Sequence, residues 1–331
     1  MNQKVLLIGG GGYVGTELQK FLVENNFSVR VYDSFWYEDG IWDQTELALA
    51  AKIEYIRGDV RDLDKLEKSL ADVNSVIHLA CISNDPSYEL NPTLAKSINF
   101  EAFRNFIPSV LRSKVDRFIF ASSSSVYGVK SEPNVTEDLV CEPRTDYSKF
   151  KVLCEEIIVN ELSDRVPFTI IRPSTVCGAS KRQRFDLVVN ALTISALAKK
   201  SIRVDGGEQF RPNLHIKDMN RAYLTLLQSP VDTINEQILN VAGENLSVKD
   251  IALKVQQTLN NGSHIEYAPV VDDRSYRVSG EKIQKLLNFS PEFTVQDAIN
   301  DIASNYLAGK YSNVFDDKYY NLKVMKSILG K

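Results

Sequence analysis

The sequence predicts an α/β chain built on a doubly wound parallel sheet. Three observations carry that prediction. Short apolar runs alternate with helical patterns through the first half of the 331 residues, a glycine run separates the first apolar run from the first helix, and an acidic residue closes the second run. Alternation of this kind is the pattern of βαβ units, whose right-handed crossovers put helices on both faces of one sheet.

The strands are read in order as KVLLI (Lys4–Ile8), SVRVY (Ser28–Tyr32), IEYIRG (Ile53–Gly58), SVIHLA (Ser75–Ala80), RFIFAS (Arg117–Ser122) and FTIIR (Phe168–Arg172). Each is a short, nearly continuous apolar run, as expected of strands covered on both faces. Helices are expected from about Tyr13, over LDKLEKSL, after Pro92, and from near Asp146 to about Leu162. After Pro173 the rhythm changes. A helix over Phe185–Lys200 leads into two short strands around the Gly206-Gly207 turn. Helices over Lys217–Leu227 and Val248–Leu259, a strand at His264–Tyr267, and helices at Glu281–Leu287 and Val295–Leu307 come next. The amphipathic stretch DDKYYNLKVMKSIL closes the chain, with no internal repeat or low-complexity linker on the way.

Bulk properties narrow the function. Hydrophobic content of 44% and charged content of 25% are ordinary globular values. A net charge of -4 gives no positive field for gathering nucleic acid, and no nucleic-acid partner is expected. Cys81, Cys141, Cys154 and Cys177 form no C-x-x-C pair, so no metal site or redox dithiol is expected and a reducing cytoplasm fits. No apolar run approaches the roughly 20 residues of a membrane span, and the start is too short for a secretory core, so no membrane association or processing is expected.

The stretch VLLIGGGGYVG lets backbone N–H groups approach a pyrophosphate, with the following helix N-terminus adding a favourable dipole. Its glycines satisfy two registers: Gly10, Gly12 and Gly15 fit G-x-G-x-x-G, whereas Gly9, Gly12 and Gly15 fit G-x-x-G-x-x-G. Asp33, 18 residues beyond Gly15, can accept hydrogen bonds from an adenosine ribose and repel a 2′-phosphate, which favours NAD over NADP. Downstream, SSSSVYG (Ser122–Gly128) follows the fifth strand, and YSKFK places Tyr147 and Lys151 four apart on one helix face. A phenol with a pKa of about 10 is a poor base at neutral pH unless a cation favours the phenolate. Lys151 and a positive nicotinamide ring supply that charge, and a neighbouring serine holds the substrate oxygen. His78 and His215 sit in strand patterns and are read as packing residues.

Taken with Asp33, GDVRD, HLAC, Asn99, RPSTVCG, RPNLHIKD and DDRSYRVSGEKI, these motifs occur in an order that resembles the extended short-chain dehydrogenase/reductases. The likeness is to their NAD-dependent nucleotide-sugar epimerase/dehydratase family, of UDP-glucose 4-epimerase type, over essentially the whole length. The resemblance implies a Rossmann-type NAD-binding domain over residues 1–172. It implies a smaller C-terminal α/β substrate-binding domain over 173–331, with about 213–242 returning to the first. It selects Gly9, Gly12 and Gly15 as the working glycines, with Gly10 at a position usually glycine and Gly11 at one often alanine. The catalytic set it implies is Ser123, Tyr147 and Lys151. Tyr13, Val14, Asp59, Val60, Leu79, Ala80, Cys81, Asn99, Ser122 and Pro173 join the glycines and Asp33 around NAD. Ser83, Asn84, Asp85, Ser124, Ser125, Thr175, Asn190, Arg211, Asp273 and Arg274 are expected around the nucleotide sugar, Arg211 pairing with its diphosphate.

The implied chemistry is oxidoreduction at C4. Dehydratases and decarboxylases of the family carry acidic residues just after the catalytic hydroxyl, where this chain has Ser124 and Ser125. That leaves 4-epimerisation through a 4-keto sugar, the commonest outcome in the family, or net dehydrogenation or ketoreduction of a hexose or heptose for cell-surface polysaccharide. A non-catalytic NAD(H)-binding protein on the same fold is the remaining reading, opposed by the Tyr-Lys pair. Thr175 and Cys177 depart from the family's usual asparagine and tyrosine, which points to an altered sugar pocket. A homodimer or higher homo-oligomer is expected, paired through the helices after Pro92 and from Asp146.

Overall fold

The computed structural model describes residues 3–37, 40–269 and 275–330. Seven parallel strands form the central sheet: β1 (Lys4–Ile8), β2 (Ser28–Asp33), β3 (Ile53–Arg57), β4 (Ser75–His78), β5 (Arg117–Ala121), β6 (Phe168–Pro173) and β10 (Gln237–Val241). Their order is β10-β6-β5-β4-β1-β2-β3. The sequence runs outward in one direction from β1 to β3 and in the other from β4 to β10. The crevice outside the carboxyl ends of β1 and β4 is therefore the switch point where such sheets bind ligands.

One face of the sheet buries Val5, Leu7, Val31, Ile77, Ile119 and Ile171 against α1 (Tyr13–Glu24) and α8 (Ile216–Gln228). The other buries Leu6, Ile8, Val76, Phe118, Phe120 and Ile170 against α2 (Leu63–Lys68), α5 (Ala102–Arg112) and α6 (Asp146–Leu162). Strands with both faces covered have no polar alternation, which is why six of them were readable as apolar runs.

The remaining elements form a second layer of structure. β7 (Thr175–Cys177), β9 (Phe210–His215) and β11 (Asn245–Ser247) make a three-stranded sheet, and β8 (Ser201–Asp205) pairs in parallel with β12 (His264–Ala268). A separate core of Val189, Ile202, Val204, Ile251, Val255 and Ile299 joins them to α7 (Val188–Lys199), α10 (Val248–Leu259) and α12 (Val295–Leu307). The two strands flanking Gly206-Gly207 thus never pair with each other; each finds its partner elsewhere. The other α-helices among the described residues are α3 (Asp85–Glu89), α4 (Pro92–Lys96), α9 (Val231–Ile234), α11 (Glu281–Leu287) and α13 (Asn321–Ile328).

Three further differences from the sequence expectations have local causes. The fourth strand stops at His78, because Leu79 and Ala80 turn past Gly9, where a Cβ would lie 2.4 Å from the Ala80 nitrogen. The helix expected after Pro92 is α4 and α5 joined by a π-helical segment, Ser97–Glu101. β10, which returns to the main sheet beside β6, was not foreseen as a strand, nor were β7 and β11.

Candidate active site

A cavity of about 230 Å³ opens at the carboxyl ends of the strands, lined from both layers of the molecule. Its floor is the glycine loop. Gly9 has φ +83° and lies against the Leu79–Ala80 backbone, so both its conformation and its surroundings require glycine. At Gly15 a Cβ would lie 2.5 Å from the Gly10 carbonyl oxygen. At Gly12 the nearest atom to a Cβ is 3.5 Å away. Gly12 also precedes α1 with no side chain capping the helix. Gly9 and Gly15 therefore shape the loop, and Gly12 leaves room beside the free N–H groups of α1 for an anion. Gly11 is tight here, since a Cβ would meet the Phe35 ring at 2.9 Å.

Asp33 ends β2 with its carboxylate accepting from Gly11 N at 2.8 Å and Phe35 N at 2.7 Å. Burial pushes its pKa up, opposed by those two backbone bonds and by the charge of Arg182. Asp59, held low chiefly by Arg61, lines the same end with Val60, Tyr32 and Ser34. A glycine floor, a helix N-terminus and a carboxylate at the strand end fit the diphosphate and adenosine ribose of a dinucleotide.

At the other end sits the Tyr-Lys pair. The Tyr147 ring lies 5.9 Å from Lys151 Nζ, which donates to the Ala121 carbonyl at 2.6 Å. Ser123 Oγ, which acts on the Tyr147 phenol, accepts from Ser125 N at 3.1 Å and Ser125 Oγ at 2.9 Å. Burial, with Cys81 and Asp85 adding to it, holds the Tyr147 phenol well above its ordinary value; Ser123 and Arg184 pull it down. The sequence expectation is that Lys151 together with the positive nicotinamide ring favours the phenolate; burial of the phenol is the effect those two charges would have to offset.

Most residues expected at the site meet around this one cavity: Gly9, Gly12, Tyr13, Val14, Gly15, Asp33, Asp59, Val60, Leu79, Ala80, Cys81, Ser83, Ser122, Tyr147, Lys151 and Pro173 all line it. Others stand behind it. Asn99, in the π-helical segment, accepts from Ile82 N at 2.7 Å and donates to Ile82 O at 3.0 Å, fixing the backbone next to Cys81. Asn84 caps α3 and donates to Asp186 at 3.1 Å; Asp85 opens that helix. Ser124 is buried near the Tyr276 hydroxyl at 3.4 Å. Thr175 lies on β7 in register with Asn213, and Arg211 on β9 donates to the Phe210 carbonyl. Asn190 is fully buried and away from the cavity wall. Its amide accepts from Gly178 N and donates to Tyr13 Oη and Arg184 O, so it braces the wall from behind. Asp273 and Arg274 lie outside the described residues.

Sequence reading missed much of the roof. Arg182 and Arg184 follow β7, Asn321 opens α13, Trp36 and Tyr37 follow β2, and Met219 and Tyr223 come from α8. Arg184 forms a two-point ion pair with Asp186, at 2.8 and 3.1 Å, whose carboxyl it holds low against the effect of burial. Arg184 Nη1 and Asn321 Nδ2 both donate to Ser83 Oγ. The one local signal was the R-x-R spacing of KRQRF, which carries no meaning until the fold brings it over the glycine loop.

The fold and this cavity define a nucleotide-cofactor oxidoreductase of the short-chain type. Residues 5–242 match the model of the NAD dependent epimerase/dehydratase family, and the chain belongs to that family, whose cofactor is NAD. It is 25% identical to the UDP-glucose 4-epimerase of Lactobacillus helveticus, over 76% of this chain and 81% of that one. It is 26% identical to the UDP-N-acetyl-alpha-D-glucosaminuronate decarboxylase of Bacillus cytotoxicus, over 81% and 84%. Among solved structures it resembles the UDP-glucuronic acid 4-epimerase of Bacillus cereus in complex with UDP-glucuronic acid and NAD. The TM-score there is 0.83 with 26% identity, covering 93% of this chain and all of that one.

Proposed function

We propose that the protein is a nucleotide-sugar 4-epimerase. The observation that carries the reading is Tyr147 and Lys151 lining one end of the cavity beside Ser122, with serines, not acids, at the two positions after Ser123. Epimerase and decarboxylase relatives are about equally similar, so overall likeness does not choose between their reactions; the residues after Ser123 do. The carboxylates lining the cavity among the described residues are Asp33 and Asp59, at the glycine-loop end; Asp85, whose charge reaches Tyr147, is not part of that lining.

Bound NAD would supply reversible hydride chemistry at C4, and its positive ring would favour the Tyr147 phenolate. Ser123 holds the C4 oxygen and Tyr147 takes its proton. Lys151, tied to Ala121, fixes the charge below the Tyr147 ring. The remaining walls exclude water from the ketone.

The test is a panel of nucleotide sugars followed by NMR. Inversion at C4 without accumulation of reduced cofactor is expected, and Tyr147→Phe keeps NAD but loses turnover by about 100-fold or more. Stoichiometric reduction of NAD would replace the epimerase reading with a dehydrogenase, and undiminished turnover of Tyr147→Phe would remove the assignment of the base. Leu153 and Val159 stand exposed on α6, which supports a homodimer paired through that helix; sedimentation as a monomer would exclude it.

A further inference from the structure

Arg182 is a buried charge on the cavity wall that keeps an unpartnered N–H and, among the described residues, forms no ion pair. It is 2% exposed, and its Nε has no hydrogen-bond partner. Nη2 donates to Asn321 Oδ1 at 2.6 Å, and the guanidinium lies flat on Tyr37 with its carbon 3.5 Å from the ring centroid. Among the described residues no carboxylate pairs with it, whereas Arg184, two residues on, is held by Asp186. Burial pushes its pKa down to about 10. Asp186 and Asp33 act on it only at a distance, and a buried guanidinium with an unmet N–H and no ion pair is costly unless an anion arrives to complete it.

The preceding residues say where that anion sits. Tyr13 Oη donates to the Gly178 carbonyl at 2.7 Å, Ser180 Oγ donates to the Tyr13 carbonyl at 2.9 Å, and Lys181 N donates to Glu17 Oε1 at 2.7 Å. The segment ahead of Arg182 is thus bolted to the first turns of α1. Arg182 and the uncapped N-terminus of that helix line one cavity together with Gly9, Gly12 and Asp33.

We propose that Arg182 is the side-chain half of a diphosphate site whose backbone half is the N-terminus of α1, so that it grips the phosphates of the dinucleotide. The inference rests on the reading of this cavity as the NAD site. A guanidinium offers phosphate oxygens two N–H groups in a fixed plane, and Tyr37 and Asn321 hold that plane in place before the ligand enters. Because Asn321 opens α13, the C-terminal helix takes part in holding the guanidinium in place.

The experiment measures Kd of cofactor-stripped protein for ADP-ribose and adenosine, and of NAD-loaded protein for UDP and GDP, in wild type, Arg182→Met and Arg182→Lys. Arg182→Met is expected to weaken ADP-ribose by about 30-fold or more and leave adenosine, UDP and GDP unchanged. Arg182→Lys, which keeps the charge but not the planar fork, falls between. Weakening of UDP or GDP with ADP-ribose unaffected would assign the arginine to the other diphosphate and overturn the proposal. Unchanged affinities throughout would reduce it to packing. If Arg182→Met does not fold, the ratio of ADP-ribose to adenosine affinity in Arg182→Lys carries the test. The outcome is separable from the function assigned above, since ADP-ribose binding needs neither Tyr147 nor a sugar.

Discussion

At the scale of single residues, the glycine loop divides its labour in a way that mutation can separate. Gly15 touches its own loop: an added methyl would overlap the Gly10 carbonyl at 2.5 Å and the Gly10 Cα at 2.6 Å, backbone atoms that cannot swing aside. Gly12 has φ −81°, which any residue accepts, and its nearest neighbour is 3.5 Å from an added methyl. Gly15→Ala is therefore expected to destabilise the apoprotein by about 1–3 kcal/mol, the usual range for overpacking. Gly12→Ala should fold as wild type but bind NAD at least about tenfold more weakly, because its methyl projects into the space beside the helix N-terminus. Thermal melts of the stripped proteins and NAD titrations check both halves. A Gly12→Ala protein that binds NAD normally would mean that the diphosphate does not pass there.

At the scale of elements, the catalytic end depends on a buried ion pair that ties three of them together. Arg172 on β6 meets Glu155 on α6 at 2.6 and 3.1 Å, both nearly inaccessible, and Ser122 at the end of β5 donates to the same carboxylate. Arg172 Nη1 continues to Tyr127 Oη at 3.0 Å, and Tyr127 to Asn240 on β10 at 2.7 Å. Glu155 is one turn beyond Lys151 and Ser122 adjoins Ser123, so the pair fixes helix against strand beside the proposed catalytic residues. Glu155→Gln is expected to destabilise the fold by about 3 kcal/mol, since it leaves the Arg172 charge buried and unpaired. The double variant Glu155→Leu/Arg172→Met should recover most of that stability but not kcat. Additive stability losses in a double-mutant cycle would show that the two do not act as a unit. This pair also marks the limit of what the sequence made legible. Covered strands read as apolar runs, and Tyr147–Lys151 stands at a fixed helical spacing, so both were visible. β7 and β11 are three residues each, and β10 is defined by its partner rather than its composition. Glu155 with Arg172, and Arg182 with Asn321, become neighbours only through folding, so no local pattern announces them.

At the scale of the whole molecule, the two-layered construction makes some groups reachable only by global unfolding, and His78 is the clearest. It lies in β4 under the sheet, with Phe103, Phe106 and Phe120 around it at 5.0, 6.4 and 5.9 Å between ring centroids. Burial, with the Lys151 charge adding to it, pushes its pKa down to about 3 from 6.5. The unfolded chain therefore binds one more proton than the folded one between those values. Stability is lost as pH falls from about 6.5 toward 3, with a slope approaching about 1.4 kcal/mol per pH unit from this group alone. Asp33 and Glu17 act in the opposite sense. Their carboxyls are raised by burial, so the folded state binds the extra proton there and the contribution improves as pH falls. Asp186, held low, loses its contribution only below the ordinary carboxylate range. The measured profile of the native protein is a sum of opposed effects, and only a difference isolates His78. His78→Leu removes the titrating ring while keeping a similar apolar volume. Urea midpoints of the two proteins between pH 4 and 7.5 should diverge from a constant offset below about pH 6.5, the variant falling less steeply. Parallel profiles across that range would mean that acid reaches His78 through a local opening, and that the sheet and its covering helices do not unfold as one body.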